Sequence, residues 1–453
     1  MTDSNSSGPA QAQAYAAPAQ ARTSGLGYRW VIIGLGFLIT LINYMDRSAL
    51  SYAIGPLKAE FGISDSQYGM VAAAFAVGYM IMTTGGGMMV DRWGAHRVWA
   101  GAALLWSLCT AVMGLAANLP LLFAFRTLLG LAEGPHFPAL TRVVADWLPA
   151  SERARATAIG LAAVPMANVI GAPFITNLIS AFGWKIMFAI LGSLGVGWAV
   201  IWYFMYRDYP ENCKQVSDEE LNLIRDGKPV DRSKSSEQMR SHDLQHGGTT
   251  WKFMLLNPSL MSNNYAFFAF GYTLFFALTW LPGYFQKQFG ANLKEIGVFL
   301  IAPWLTAAIL LALAGFLSDY LWKKTGSMRV ARSHMIWICQ LISGLCFIPM
   351  LFVGDNRDLA LIVISLGIGF GLMPNACFYA LNCDLAKDRA ATSLGLMDSF
   401  FALAGILAPV LTGWLSDMTG GFNAAFGLLI FFTLSSVVAV LVFQRPDRET
   451  LAV

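Results

Sequence analysis

Apolar residues along this chain gather into twelve long runs, at about 29–51, 67–90, 98–117, 120–142, 156–180, 184–205, 259–285, 296–320, 333–353, 359–381, 392–415 and 424–443, with polar stretches between them. Each run has the ~20 residues that a helix needs to cross ~30 Å of hydrocarbon. They are too long for barrel strands, and their apolar positions do not alternate with period two. The pattern predicts an all-α membrane protein with twelve transmembrane helices. One longer hydrophilic segment, 206–257, divides the runs six and six. This predicts two six-helix bundles, over 28–205 and 258–443, joined by a cytoplasmic linker. A disordered cytoplasmic tail is expected over 1–27 and a short one over 444–453.

Composition narrows the class further. The 453 residues are 56% apolar and only 13% charged, about half the charge share of a soluble domain. A net charge of +3 gives no basic field for nucleic acid. The positions of Lys and Arg then orient the chain. Of the 30, five (Lys58, Lys185, Lys287, Lys294 and Arg357) fall in one set of loops, and 23 fall in the tails, the linker and the other loops. The positive-inside rule therefore places both termini in the cytoplasm, as expected for a multi-pass protein of the cell inner membrane. The first 25 residues lack the basic and apolar regions of a cleavable signal. In the linker, Ser217-Asp218-Glu219-Glu220 reads as a capping box opening a short helix with Leu221 and Ile224 on one side. The six cysteines show no CxxC or Cys/His spacing, so packed apolar cysteines are expected, with no metal site and no cofactor.

An internal repeat points to a family. The loop after the second run contains Gly87-x-x-x-Asp91-Arg92, then Gly94, His96 and Arg97. Six runs later stands Gly315-x-x-x-Asp319, followed by Lys323, Lys324 and Arg329. Parallel repeats of this kind occur in transporters. With these motifs, and with Arg126-x-x-x-Gly130-x-x-x-Gly134 in the fourth run, the chain resembles the major facilitator superfamily over all twelve runs. The resemblance implies gating roles for Asp91, Arg92, Arg97 and Asp319, with Asp91 near a helix N-terminus and pairing with Arg92 or Arg97 when the cytoplasmic side is closed.

Further residues narrow the resemblance. Asn43-Tyr44-Met45-Asp46-Arg47, Arg126 with Glu133, and Trp280-Leu281-Pro282-Gly283-Tyr284 are similar to the anion:cation symporter branch, which includes galactonate, glucarate and hexuronate carriers. The resemblance implies that Arg47 and Arg126 hold a substrate carboxylate and that Asp46 and Glu133 carry protons. It also implies that Tyr44 and Tyr79 line the cavity. Co-transported protons are expected, although sodium remains an alternative. The partners expected are a small organic anion and membrane lipid, with the protein a monomer.

The residues make a similar case without the family. A charge at the bilayer centre costs about 2.5–3.5 kcal/mol even on insertion scales, so four near two facing helices need a reason. Two guanidiniums at similar depth suit a carboxylate, which accepts forked hydrogen bonds. Glu133 lies seven residues from Arg126, on nearly the same helix face and about 10 Å deeper. His136, three residues on, either bonds Glu133, relays a proton or simply packs. Tyr272, Trp280, Tyr284 and Tyr379 are candidates for either ligand contact or packing.

Two positions depart from the branch pattern. Val164 stands where sugar-acid carriers have a Gln, and Asp398 stands where an Asn is usual. A buried carboxyl there would repel an anion unless protonated or paired. It could instead accept a substrate hydroxyl, bind an amine or carry a proton. No catalytic cluster or phosphate loop is present, and the chain reads as a non-enzyme. The leading expectation is proton-coupled import of a sugar acid, an aldonate or hexuronate. Carriers of aromatic or dicarboxylic acids, or an organic-anion antiporter or exporter, are the alternatives.

Overall fold

The computed structural model describes residues 27–226, 251–386 and 390–449. The expected N-terminal tail, most of the linker beyond 226 and the last residues of the C-terminal tail lie outside them. Eighteen α-helices carry the described chain: α1 (Tyr28–Tyr52), α2 (Ile54–Phe61), α3 (Asp65–Trp93), α4 (Ala95–Met113), α5 (Leu119–Glu133), α6 (His136–Trp147), α7 (Ala150–Met205), α8 (Asp218–Asp226), α9 (Trp251–Leu256), α10 (Pro258–Phe289), α11 (Leu293–Phe299), α12 (Ile301–Thr325), α13 (His334–Phe347), α14 (Arg357–Leu372), α15 (Asn375–Leu385), α16 (Ala390–Thr419), α17 (Asn423–Phe443) and α18 (Pro446–Glu449). Among the described residues, nine helical segments are long and apolar enough to cross a bilayer.

The predicted runs are helical over most of their length, but a run and a helix do not always coincide. The runs at 156–180 and 184–205 join in α7, broken at Gly183, whose φ of +80° is a conformation that only glycine adopts without strain. Other runs divide, as at Gly134 and Pro135 between α5 and α6.

Helix ends are tied by anions in a repeating way. Asp208, just beyond α7, accepts from the His96 N–H at 2.8 Å, at the start of α4. Asp447, just beyond α17, accepts from the Met328 N–H at 2.8 Å, before the turn that leads into α13. Carboxylates suit helix N-termini because the first N–H groups have no partner within the helix. The linker helix α8 uses the same chemistry differently from the capping-box expectation. Ser217 Oγ accepts from the Glu220 N–H at 3.2 Å. The Glu220 carboxylate instead accepts from the Tyr28 and Arg29 N–H groups at 3.0 and 2.9 Å and pairs with the Arg29 guanidinium. Arg29 also bonds Glu152 at 2.8 Å. The linker is therefore strapped to the start of α1, and this side of the molecule is called the linker end below.

At the opposite, far end the two groups of helices meet. Here α3 and α16 run antiparallel in close contact. A Cβ on Gly69 would stand 3.0 Å from the Pro409 carbonyl carbon, and one on Gly413 would stand 2.8 Å from that of Asp65. Small residues let backbones approach this closely. Polar contacts close the same seam. The buried Asp65 carboxylate pairs with Lys58 of its own half, and with Lys287 Nζ at 3.0 Å and Ser416 Oγ at 2.8 Å from the other. Asp417 accepts from the Asp65 and Ser66 N–H groups at 3.0 and 2.8 Å. Tyr68 donates to the Thr279 carbonyl at 3.3 Å and meets the Trp280 ring edge-on. Beside this seam, Lys185 bonds Glu60 and holds its carboxyl below the usual range.

Core packing settles several open readings. Tyr272 and Tyr284 are buried among Phe268, Phe422, Phe426 and Phe432, and Trp280 packs on Tyr68 and Phe422. Cys109, Cys213, Cys339 and Cys377 are buried and Cys346 is partly so. Cys383, by contrast, is exposed.

Candidate functional site

The site begins with glycines. On α5, Gly130 presses on the α3 backbone, where a Cβ would lie 2.8 Å from the Tyr79 nitrogen. Gly134, one turn on, meets Met82, and Gly86 of α3 meets Pro135. This crossing sets Arg126 and Glu133 beside Phe75 and Tyr79, while α1 brings Asn43, Tyr44, Asp46 and Arg47 to the same place.

Arg47 is the hub. Its Nε bonds Glu133 Oε2 at 2.7 Å, with both side chains almost wholly buried. Its guanidinium carbon lies 4.6, 4.9 and 4.8 Å from the ring centres of Tyr44, Phe75 and Tyr79. Arg126 approaches Phe75 at 5.1 Å, so one ring lies within cation–π distance of two guanidiniums. Each such contact is worth ~0.5–2 kcal/mol, more when desolvated. The aromatic cage holds the cations by the faces of its rings. Arg47 Nη2 and Arg126 Nε and Nη1 are buried with no hydrogen-bond partner among the described residues. Buried unmade hydrogen bonds are costly, and planar guanidinium donors suit a carboxylate.

The structure brings most of the predicted residues together. Glu133, two turns along α5 from Arg126, is reached directly by Arg47. Asp46 does not pair with its neighbour Arg47. It is fully buried beside Thr110, in the field of Glu133 and Arg126. Asn43, one turn before Arg47, approaches Glu133. Across the seam, the Tyr379 hydroxyl donates to Asp398 Oδ1 at 3.4 Å. Asp398 is close enough to Tyr44 and Tyr79 to act on their hydroxyls.

His136 does not contact Glu133. The Trp99 Nε1–H donates to its Nδ1 at 3.2 Å, and its Nε2 lies 3.2 Å from Thr40 Oγ1. An accepting Nδ1 leaves the ring proton on Nε2, with Trp99, Trp106 and Phe137 around the ring. It is a packed core histidine.

At the linker end, the side chains of Asp91 and Asp319 lie outside what the structure describes. Arg92 and Arg97 are exposed, with Arg92 over the Trp93 ring at 5.8 Å. Sequence reasoning missed Phe75, Asn43 and Thr110, as well as the far-end group of Asp65, Lys287, Ser416 and Asp417. Phe75 precedes Tyr79 by one helical turn, a spacing that could have revealed it.

Known proteins share this architecture. The sequence pattern of the Major Facilitator Superfamily matches residues 36–397 and 325–452. Among curated relatives, the chain is 32% identical to a probable sulfoacetate transporter of Cupriavidus necator, over 93% of this chain and 96% of that one. It is 30% identical to a hexuronate transporter of Bacillus subtilis, over 90% and 93%. It is 33% identical to a probable galactarate/D-glucarate transporter of the same organism, over 94% and 92%. Among solved structures, a bacterial homolog of the human lysosomal transporter Spinster superposes with a TM-score of 0.70 at 19% identity, over 94% of this chain and 98% of that one. The xylose transporter of Escherichia coli gives 0.69 at 14%, over 92% and 97%. Helices long and apolar enough to cross a bilayer and these likenesses agree: the chain belongs to the major facilitator superfamily, and is a multi-pass integral membrane transporter and not an enzyme.

Proposed function

We propose that this protein is a proton-coupled symporter of the cell inner membrane that imports an organic anion, a sugar acid of the aldonate or hexuronate kind, by alternating access. The observation that carries the reading is the pair of caged guanidiniums, Arg47 and Arg126, with buried donors free and Glu133 bonded to one of them. Relatives named for hexuronate, galactarate/D-glucarate and sulfoacetate support the anion class. Twelve spans with both termini in the cytoplasm fit the Lys and Arg distribution. In that orientation the far end faces outward and is closed, while Asp91, Arg92, Arg97 and Asp319 gate the cytoplasmic end.

Coupling follows from competition for Arg47. A substrate carboxylate that takes the Arg47 donors displaces Glu133 from its cation. A buried carboxyl without a counter-charge favours its neutral form, so substrate and proton load together. Asp46, buried without a cation directly on it, is the second proton site. Tyr44 and Tyr79 hold the guanidinium in place and line the path, and Tyr379 and Asp398 meet the substrate from the other half.

Reconstitution into liposomes tests this. An inward proton gradient accelerates uptake of labelled D-gluconate or D-glucuronate, and Arg126→Ala abolishes it. Uptake indifferent to a protonophore would remove the coupling, and Arg126→Ala uptake equal to wild type would remove the anion site.

A further inference from the structure

Asp398 is the feature that the anion site itself does not require. It sits in the second half, in a place fixed by the seam between α3 and α16. These helices touch where a Cβ on Gly405 would stand 3.0 Å from Ala76 Cβ. Seven residues back along α16, two turns on the same face and about 10 Å nearer the linker end, stands Asp398. Three residues along α3 from Ala76, in the same direction, stands Tyr79. The Asp398 carboxylate is thereby directed at the first half. Consistent with this, it lies within electrostatic reach of Tyr44 and Tyr79, the two tyrosines packed on Arg47.

The two ends of this site have opposite hydrogen-bonding character. Arginine only donates, and an ionised carboxylate only accepts. Asp398 receives the Tyr379 hydroxyl at Oδ1 and is only partly buried. Among the described residues no Lys or Arg forms an ion pair with it. Its second oxygen is an acceptor without a compensating cation. A ligand that bridges the two ends needs an acceptor at one and a donor at the other. A second carboxylate at the Asp398 end would face a like charge, and such juxtapositions suppress wrong partners.

We propose that Asp398 makes the site selective for organic anions with one anionic end and a hydrogen-bond-donor tail, hydroxyl or ammonium, and rejects dianions of the same skeleton. This rests on the organic-anion reading above, and names the substrate class within it. Tyr379 positions the carboxylate, while Asp398 itself meets the tail.

The test uses matched pairs of six-carbon probes on the purified full chain: D-gluconate against D-glucarate, and 6-aminohexanoate against adipate. Dissociation constants and thermal shifts are measured at one ionic strength. The donor-tailed monoanion of at least one pair is expected to bind about tenfold or more tightly than its dianion. Which pair shows the larger gap tells a hydroxyl tail from an ammonium tail. Asp398→Asn is expected to bring that ratio close to one. Tyr379→Phe, which removes the hydroxyl that positions the carboxylate, is expected to narrow the preference; it serves if Asp398→Asn does not fold, and a ratio unchanged there would then overturn the proposal. Dianions bound as tightly as their partners, a ratio unchanged in Asp398→Asn, or binding of none of the four probes would overturn the proposal. An Arg126→Ala arm separates the two readings: probes that bind it as well as wild type refute the anion site itself, whatever Asp398 does.

Discussion

Neutralising Asp417 is expected to loosen the far-end seal and shift the protein toward a state open there. The carboxylate receives two backbone N–H groups, at 3.0 and 2.8 Å, from the first turn of α3 in the opposite half. Hydrogen bonds to a charged group contribute ~1.5–3 kcal/mol and neutral ones ~0.5–1.5; the Asn amide has one acceptor oxygen where the carboxylate has two, so Asp417→Asn loses one bond and weakens the other by roughly 1 kcal/mol. Loss of the charge at a helix N-terminus removes a further ~0.3–1 kcal/mol. Asp417 is exposed, so water replaces part of what is lost and screening cuts the sum to about 1–2 kcal/mol. That is a change of about 5- to 30-fold in the ratio of closed to open molecules. Asp65 keeps Lys58 within its own half, so opening does not strand it without a cation. Spin labels at Leu115 and Phe352, 77% and 82% exposed on far-end loops of the two halves, report the change by pulsed electron resonance distances. A longer-distance population should grow in Asp417→Asn, and also in Lys287→Met, which breaks the 3.0 Å bond to Asp65. Distance distributions identical to wild type in both variants would refute the assignment of this cluster as the seal.

Three further outcomes follow from the geometry. Glu133→Gln is expected to retain exchange of substrate across proteoliposomes while losing acceleration by a proton gradient, since an amide still fills the space but cannot load a proton; gradient-driven uptake equal to wild type contradicts that. Gly130→Ala places a methyl into the α3 backbone at Phe75 and Tyr79; with backbone on both sides it should cost about 2–3 kcal/mol, read as a lower melting temperature and loss of anion binding together. His136→Ala removes a ring packed by Trp99, Trp106 and Phe137 and should lower stability by about 2–4 kcal/mol, yet leave the pH profile of uptake unchanged. A shifted profile would restore it as a proton relay.

Much of the site was legible in the chain, for a simple physical reason. Charged residues are so costly inside a span that Arg47, Asp46, Arg126 and Glu133 stand out against an apolar background. Their partners were less legible. That Arg47 reaches Glu133 while Asp46 lies beside Thr110 depends on how α1, α4 and α5 are placed around one another. The position of α5 against α3 is set by close contacts of Gly130 and Gly134 with Phe75, Tyr79 and Met82, which the sequence does not order in space. His136 looked like a relay by spacing from Glu133, but the turn at Gly134 and Pro135 places it at the start of a second helix, α6, where its ring meets Trp99. The capping box failed in the same way. Ser217 capped its helix, but Glu220 found unpaired N–H groups at Tyr28 and Arg29 that lie close only after folding.

What the sequence determined by itself was the class of structure and the kind of chemistry. Apolar runs of bilayer length, Lys and Arg gathered in alternate loops, and a few charges within apolar runs are each properties of the sequence alone. What only the tertiary structure decided was pairing and state: which donors remain free, where the two halves are joined, and that Asp398 lies within electrostatic reach of Tyr44 and Tyr79, the rings packed on Arg47. The seal at Asp65, Lys287, Ser416 and Asp417 was invisible in one dimension, because its members are up to 352 residues apart and look like ordinary loop charges. Their meaning arises from distance, and distance between helices is set by small-residue packing across a fold that no local pattern encodes.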